Sequence, residues 1–261
     1  MSLAERETQG PGSKSEIPIS KGWVQGVALV LIFGFFIMGI LAVRTYTDSM
    51  PLPNQVVGSN DEVVFTQEDI TEGQRIFLSR GLQQYGSIVG HGGYLGPDYT
   101  TEYLRLSSDH VRDSLQSQGI QEPYEATVEL MRENRYDEES GELVFTDEQV
   151  SAFEEIQQHY ADFFGTETTE HGLLPNAISN PEDIHALTAF YAWTAWASAA
   201  ERPGHDYSYT NNWPSEPRVD NTPTADIVVW SVISLIALLA GTGLLFAIFW
   251  ALESNHWLER P

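Results

Sequence analysis

Two long uncharged apolar runs, one near each end of this 261-residue chain, limit what it can fold into. Residues 23–43 carry no charge over 21 positions. As a helix rising 1.5 Å per residue, that run spans about 31 Å, the thickness of a bilayer's hydrocarbon core. Residues 227–252 form the second run, between Asp226 and Glu253, with Trp230 and Trp250 near its ends where an aromatic belt would sit. A cleaved signal peptide does not fit the first run, which is too long and has no small-residue cleavage site before Arg44.

The chain therefore divides into a polar tail over residues 1–20, expected to be disordered; a span over 21–44; a polar domain over 45–226; a second span over 227–252; and a short end over 253–261. Both lysines, Lys14 and Lys21, lie at or before the start of the first span. The positive-inside rule then predicts a cytoplasmic N-terminus, an extracytoplasmic domain and a cytoplasmic C-terminal end at the cell membrane. Residues 45–226 hold 8 Arg, no Lys and 32 Asp plus Glu, a net charge of −24. Such a surface repels nucleic acid phosphates. Carboxylate-rich, lysine-poor surfaces suit high salt, where self-repulsion is screened, and point to a halophilic source. The chain has no cysteine, which excludes disulfides, iron–sulfur ligation and a thioether-attached haem.

The domain reads as mainly α. Thr66 or Thr71 caps a helix running to Arg80 and stopped by Gly81. Further helices are predicted over 101–118, ended by Gly119, and from Pro123 to about 134. Thr146-Asp-Glu-Gln149 is a capping box for a helix to about 164. Asn180-Pro-Glu-Asp183 opens the last helix, which runs to about Arg202. Residues 136–145, centred on Glu139-Ser-Gly141, predict one small hairpin. The stretch 184–200 is at the lower length limit for a span and is diluted by His185, two Thr and Ser198, so it reads as a buried amphipathic helix.

Two loops are unusual. Gly81-Leu-Gln-Gln-Tyr-Gly-Ser-Ile-Val-Gly-His-Gly-Gly-Tyr-Leu-Gly-Pro-Asp98 packs six glycines into its first sixteen residues, which suits a backbone passing close to something else. It is not a dinucleotide loop: the fingerprint wants glycine where Leu95 stands, and no strand precedes it. Tyr207-Ser-Tyr-Thr-Asn-Asn-Trp-Pro-Ser-Glu-Pro217 reads as an ordered connection ahead of the second span. The seven histidines, at 91, 110, 159, 171, 185, 205 and 256, show no helical metal-motif spacing. His185 reads as a satisfied core residue. His91 is the better candidate for a contact. No catalytic constellation is defensible from these residues alone.

Three segments carry a resemblance: GLQQYGSIVGHGGYLGPDYTTEYL (residues 81–104), FYAWTAWASAAERPG (190–204) and YTNNWPSEP (209–217). Together, over about 21–250, the chain resembles the N-terminal region of quinol-dependent nitric oxide reductases, of the haem–copper oxidase superfamily. The resemblance implies a cytochrome c-like outer domain, fused to the catalytic subunit, that has lost its haem. The family's Cys-x-x-Cys-His segment falls on residues 82–86, where Leu82, Tyr85 and Gly86 replace both cysteines and the axial histidine. It also implies that Gly92 and Tyr94 offer oxygens to a calcium ion bridging haem propionates, hard ligands suited to that ion. His91 replaces an acidic residue and inherits no role. The implied holoenzyme reduces two NO to nitrous oxide, taking electrons from quinol through haem b to a haem b3–non-haem iron centre.

Those cofactor ligands belong to further membrane helices, which are this chain's expected partners together with lipid. The chain is thus expected to be a truncated or split portion, non-catalytic by itself, that caps the outer face of the bundle. An extracellular sensor domain of a two-span receptor is the alternative, since span–domain–span is also that plan. A different oxidase of the same superfamily carrying this domain is a third reading.

Overall fold

A computed structural model describes residues 21–47, 49–165 and 172–258; the tail over 1–20 and His171 lie outside them. The described residues fall into two compact units, 21–47 with 235–258, and those between 49 and 234.

The first unit is made by helices α1 (Lys21–Thr47) and α7 (Ala225–Leu258), the latter starting in the second unit. Each carries a segment long and apolar enough to cross a membrane, Gly22–Val43 and Val228–Leu252. Near the start of α1, the Trp23 ring meets Phe249, near the end of α7, edge to face at 5.0 Å.

The second unit is a helical domain with small sheets. Its helices are α2 (Gln67–Ser79), α3 (Tyr99–Ser117), α4 (Pro123–Arg132), α5 (Asp147–Gly165) and α6 (Pro181–Ala199). Local chemistry sets their starts. Thr66, not Thr71, caps α2 in a reciprocal box with Asp69, whose Oδ2 accepts the Thr66 N–H at 2.8 Å. The predicted box at α5 forms, with the Thr146 N–H donating to Gln149 Oε1 at 3.1 Å. Asn180 caps α6, accepting from the Glu182 N–H at 3.2 Å. Helix α3 begins two residues before the predicted 101, because Asp98 is its cap.

Helix α6 is the axis of the core, packed by α2, α3 and α5. The stretch 184–200 is buried as predicted, but it is not amphipathic: Ile184 and residues 186–192 and 194–200 are all buried. Neighbours surround it, and its threonine and serine hydroxyls are satisfied within the helix. Thr188 donates to the Ile184 carbonyl and Ser198 to that of Thr194, each at 2.8 Å. Gly73 of α2 lies so close to the α6 backbone at Ala186 that any side chain there would overlap the carbonyl.

The predicted hairpin, β5 (Tyr136–Asp137) with β6 (Glu142–Val144), is half of a larger sheet. Strand β1 (Gln55–Val57) pairs parallel with β6 and antiparallel with β2 (Val63–Thr66), giving the order β2-β1-β6-β5. Phe65 of β2 turns inward, stacked on Phe153 at 5.1 Å and edge-on to Phe145 at 5.8 Å.

Candidate functional site

Gly81 leaves α2 with φ of +69°, and a short 3-10 turn follows at Leu82–Gln84. The chain then makes a two-stranded ribbon, β3 (Ser87–Ile88) against β4 (His91–Gly92). Main-chain bonds close the rest of the loop. The Gly93 N–H is shared between the carbonyls of Gln83 (2.7 Å) and Gly86 (3.1 Å), the Ser87 N–H reaches Pro97 O (3.0 Å), and the Gly96 N–H reaches Tyr85 O.

One carboxylate ties this loop to the helix behind it. Asp98 Oδ2 accepts from the Ser87 hydroxyl (2.8 Å) and the Gly90 N–H (2.7 Å), while Oδ1 accepts from the Thr101 N–H (2.9 Å). Next to it, the Val89 N–H donates to Thr100 Oγ1 (3.1 Å), and the Thr100 hydroxyl donates to Thr194 Oγ1 on α6 (3.0 Å). The loop is therefore strapped to two core helices.

The second unusual loop covers the first. The Trp213 indole N–H donates to Val89 O at 3.1 Å. Its ring lies on Gly90, where a methyl would stand 2.6 Å from the indole nitrogen, so only glycine leaves room. The two asparagines before it hold left-handed backbone, φ +58° and +62°, which asparagine tolerates. Asn212 exchanges bonds with Ser208 (2.7 and 2.9 Å), and buried Asn221 donates to the carbonyls of Ser198 (2.9 Å) and Pro214 (2.8 Å). Arg218 fastens the far end to Asp109 of α3 at 2.9 Å.

Gly92 lies in β4 opposite Ser87, with its Cα packed against the chain at Gly86 and Ser87. Tyr94, just beyond, is 93% exposed, and Leu95 and Trp213 are exposed as well. Among the described residues, no group of three or more His, Asp or Glu is placed to hold a metal. The His91 ring turns back on Val89 O at 2.8 Å. His185 is satisfied by Gln157 (3.0 Å) and lies edge-on to Phe153, and His110 sits between Glu155 (2.6 Å) and Ser151 (3.0 Å).

Beneath the loop is an aromatic core. Leu82 is buried, and a methyl at Gly86 would lie 2.5 Å from Pro97 O and 2.6 Å from the Tyr99 ring. Tyr99 stacks on Tyr191 at 4.7 Å and 5°, with Tyr160, Phe77 and Phe164 around them. Burial first, then the Glu102 charge, pushes the Tyr99 phenol above its usual range, so it stays protonated. Sequence reasoning missed Asp98 and the Trp213 cover. Asp98 had a readable signal, an N-cap residue before a helix start; the Trp213 contact, 124 positions from Val89, had none.

No curated protein matches the chain. A family model, the NorB cytochrome c-like domain of nitric oxide reductase, matches residues 53–215, which is more than half of the chain and includes helices α2 to α6, the loop over 81–98 and the second loop as far as residue 215. The chain belongs to this family of nitric oxide reductase NorB cytochrome c-like domains.

Proposed function

We propose that this chain is the non-catalytic N-terminal portion of a quinol-dependent nitric oxide reductase, and that its domain caps the outer face of the haem-bearing membrane helices. Those helices follow in the same chain or form a separate subunit. They hold haem b, haem b3 and the non-haem iron and receive electrons from quinol. Both termini are cytoplasmic in this reading and residues 45–226 extracytoplasmic, on the strength of Lys14 and Lys21.

One observation carries the reading. The glycine-rich loop is fixed by main-chain bonds and by Asp98, yet it turns Tyr94, Leu95 and the covering Trp213 outward. Aromatic side chains held outward on a rigid backbone are what a protein contact uses as anchors.

The residues do not fit a covalently attached haem. There is no cysteine, and the position corresponding to the axial histidine, Gly86, has no room for a side chain. No redox step is therefore assigned to this domain. For calcium, Gly92 and Tyr94 offer two oxygens where the ion takes about 6–8. They fit as a minority contribution to a site that the catalytic helices complete, where the ion would neutralise clustered carboxylates.

Trp213→Ala tests the contact. In the intact complex, NO consumption with a quinol donor is expected to fall roughly tenfold, with weaker association of the domain, as for a lost anchor. Unchanged turnover and assembly would remove this face from the interface, and turnover of oxygen alone would overturn the assignment of substrate. The acidic, lysine-free surface is further proposed to suit high salt. The domain in the intact protein is expected to melt at a lower temperature as salt is withdrawn, because unscreened carboxylates repel. Indifference to salt would end that reading.

A further inference from the structure

The core of the helical domain contains polar atoms to which the protein gives no partner. Among the described residues, the hydroxyls of Tyr99, Tyr160 and Tyr191, Oε2 of Glu102 and Nε2 of His159 are buried and make no hydrogen bond. All three tyrosines are wholly buried. They are also neighbours: Tyr160 lies 5.0 Å from Tyr191 and 6.2 Å from Tyr99, ring centre to ring centre. The His159 ring is 5.2 Å from Tyr160, and its Nε2 is 3.7 Å from Glu102 Oε1, beyond hydrogen-bond reach. Burial is the main cause that raises all three phenols. The Glu102 charge follows for Tyr99 and Tyr160, and acts after Tyr99 on Tyr191. All three hydroxyls therefore keep a proton to donate.

The large majority of buried side-chain polar atoms in native cores are hydrogen-bonded. Here three unbonded hydroxyls sit on neighbouring rings, beside an imidazole and a carboxylate that each leave an atom unbonded as well. Water that bonds two to four polar groups is the usual resolution, and it can accept from hydroxyls while donating to a carboxylate. We propose that Tyr99 and Glu102 of α3, His159 and Tyr160 of α5, and Tyr191 of α6 form an internal water-binding site, with ordered water bridging the tyrosine hydroxyls to the Glu102 carboxylate. The site joins three helices of the core through a shared polar centre. It stands independently of the docking reading above.

A structure of the intact protein determined at a resolution that shows water is the direct test. Density is expected within about 3 Å of at least two of the hydroxyls. Hydroxyls bonded directly to one another or to Glu102, with no density between them, would overturn the site, as would a metal ion in its place. Tyr160→Phe and Tyr191→Phe supply a second readout. Each is expected to lower the melting temperature of the domain in the intact protein, by roughly 2–4 °C. The double variant should lose less than the sum, because the two hydroxyls share water. Phenylalanine variants that melt at or above the parent temperature would show that the hydroxyls had nothing to lose, and the proposal would fail.

Discussion

The loop over residues 81–98 is organised by its backbone, and the core beneath it by its side chains. In the loop, carbonyls of Gln83, Tyr85, Gly86 and Pro97 accept main-chain N–H groups, and Asp98 is the one side chain that binds it internally at several points. In the core, Phe77, Tyr99, Tyr160, Phe164 and Tyr191 fill space ring against ring. A region built from backbone keeps its path while the side chains it displays are exchanged. A region built from side chains keeps its volume while their chemistry changes. In the function proposed above, that separation is how a domain loses the residues that attach a cofactor and still presents an ordered contact surface.

Where the two regions touch, the tolerance of each should vanish. Gly86→Ala is the largest expected effect: the added methyl meets both the Pro97 carbonyl and the Tyr99 ring, neither free to move. A loss of roughly 2–4 kcal/mol is expected from thermal or denaturant unfolding, and a neutral result would show that loop and core are not in close packing there. Asp98→Ala comes next. It removes the α3 cap and two loop bonds, for a loss of about 1–3 kcal/mol, and Asp98→Asn should restore part of it. If both variants melt with the parent, the loop is not held through this carboxylate. The smallest effect on stability is Tyr94→Phe, within about 0.5 kcal/mol for so exposed a side chain. Its readout is different: weaker calcium retention or altered haem spectra in the assembled enzyme. Calcium content and spectra that match the parent would take Tyr94 out of the metal site.

What could be read from the sequence follows the range of the interactions. Helix starts at Thr146 and Asn180 were legible because a cap and its amide lie two or three residues apart. The two long apolar helices were legible from length and lack of charge. The burial of 184–200 was also legible, but not its lack of a polar face, because Thr188 and Ser198 look polar in sequence and are satisfied within their own helix. Strand β1 was missed, since three residues give little alternation and its parallel partner β6 is about 87 positions away. At the site, the glycines announced a close approach without saying to what. Trp213 and the Asp98 clamp answer that question only once the chain is folded.

Asp98 has a consequence for motion. Its two oxygens serve different structures, Oδ2 the loop at Gly90 and Oδ1 the first turn of α3 at Thr101. The loop cannot swing free of this carboxylate unless the side chain leaves the helix end or the helix end goes with it. Solvent exchange of the Gly90 amide should therefore rise and fall with that of the Thr101 amide, as a single local opening. A partner seated on the loop would slow both. Binding at the surface would then be written into the hydrogen exchange of a core helix whose first turn the partner never touches.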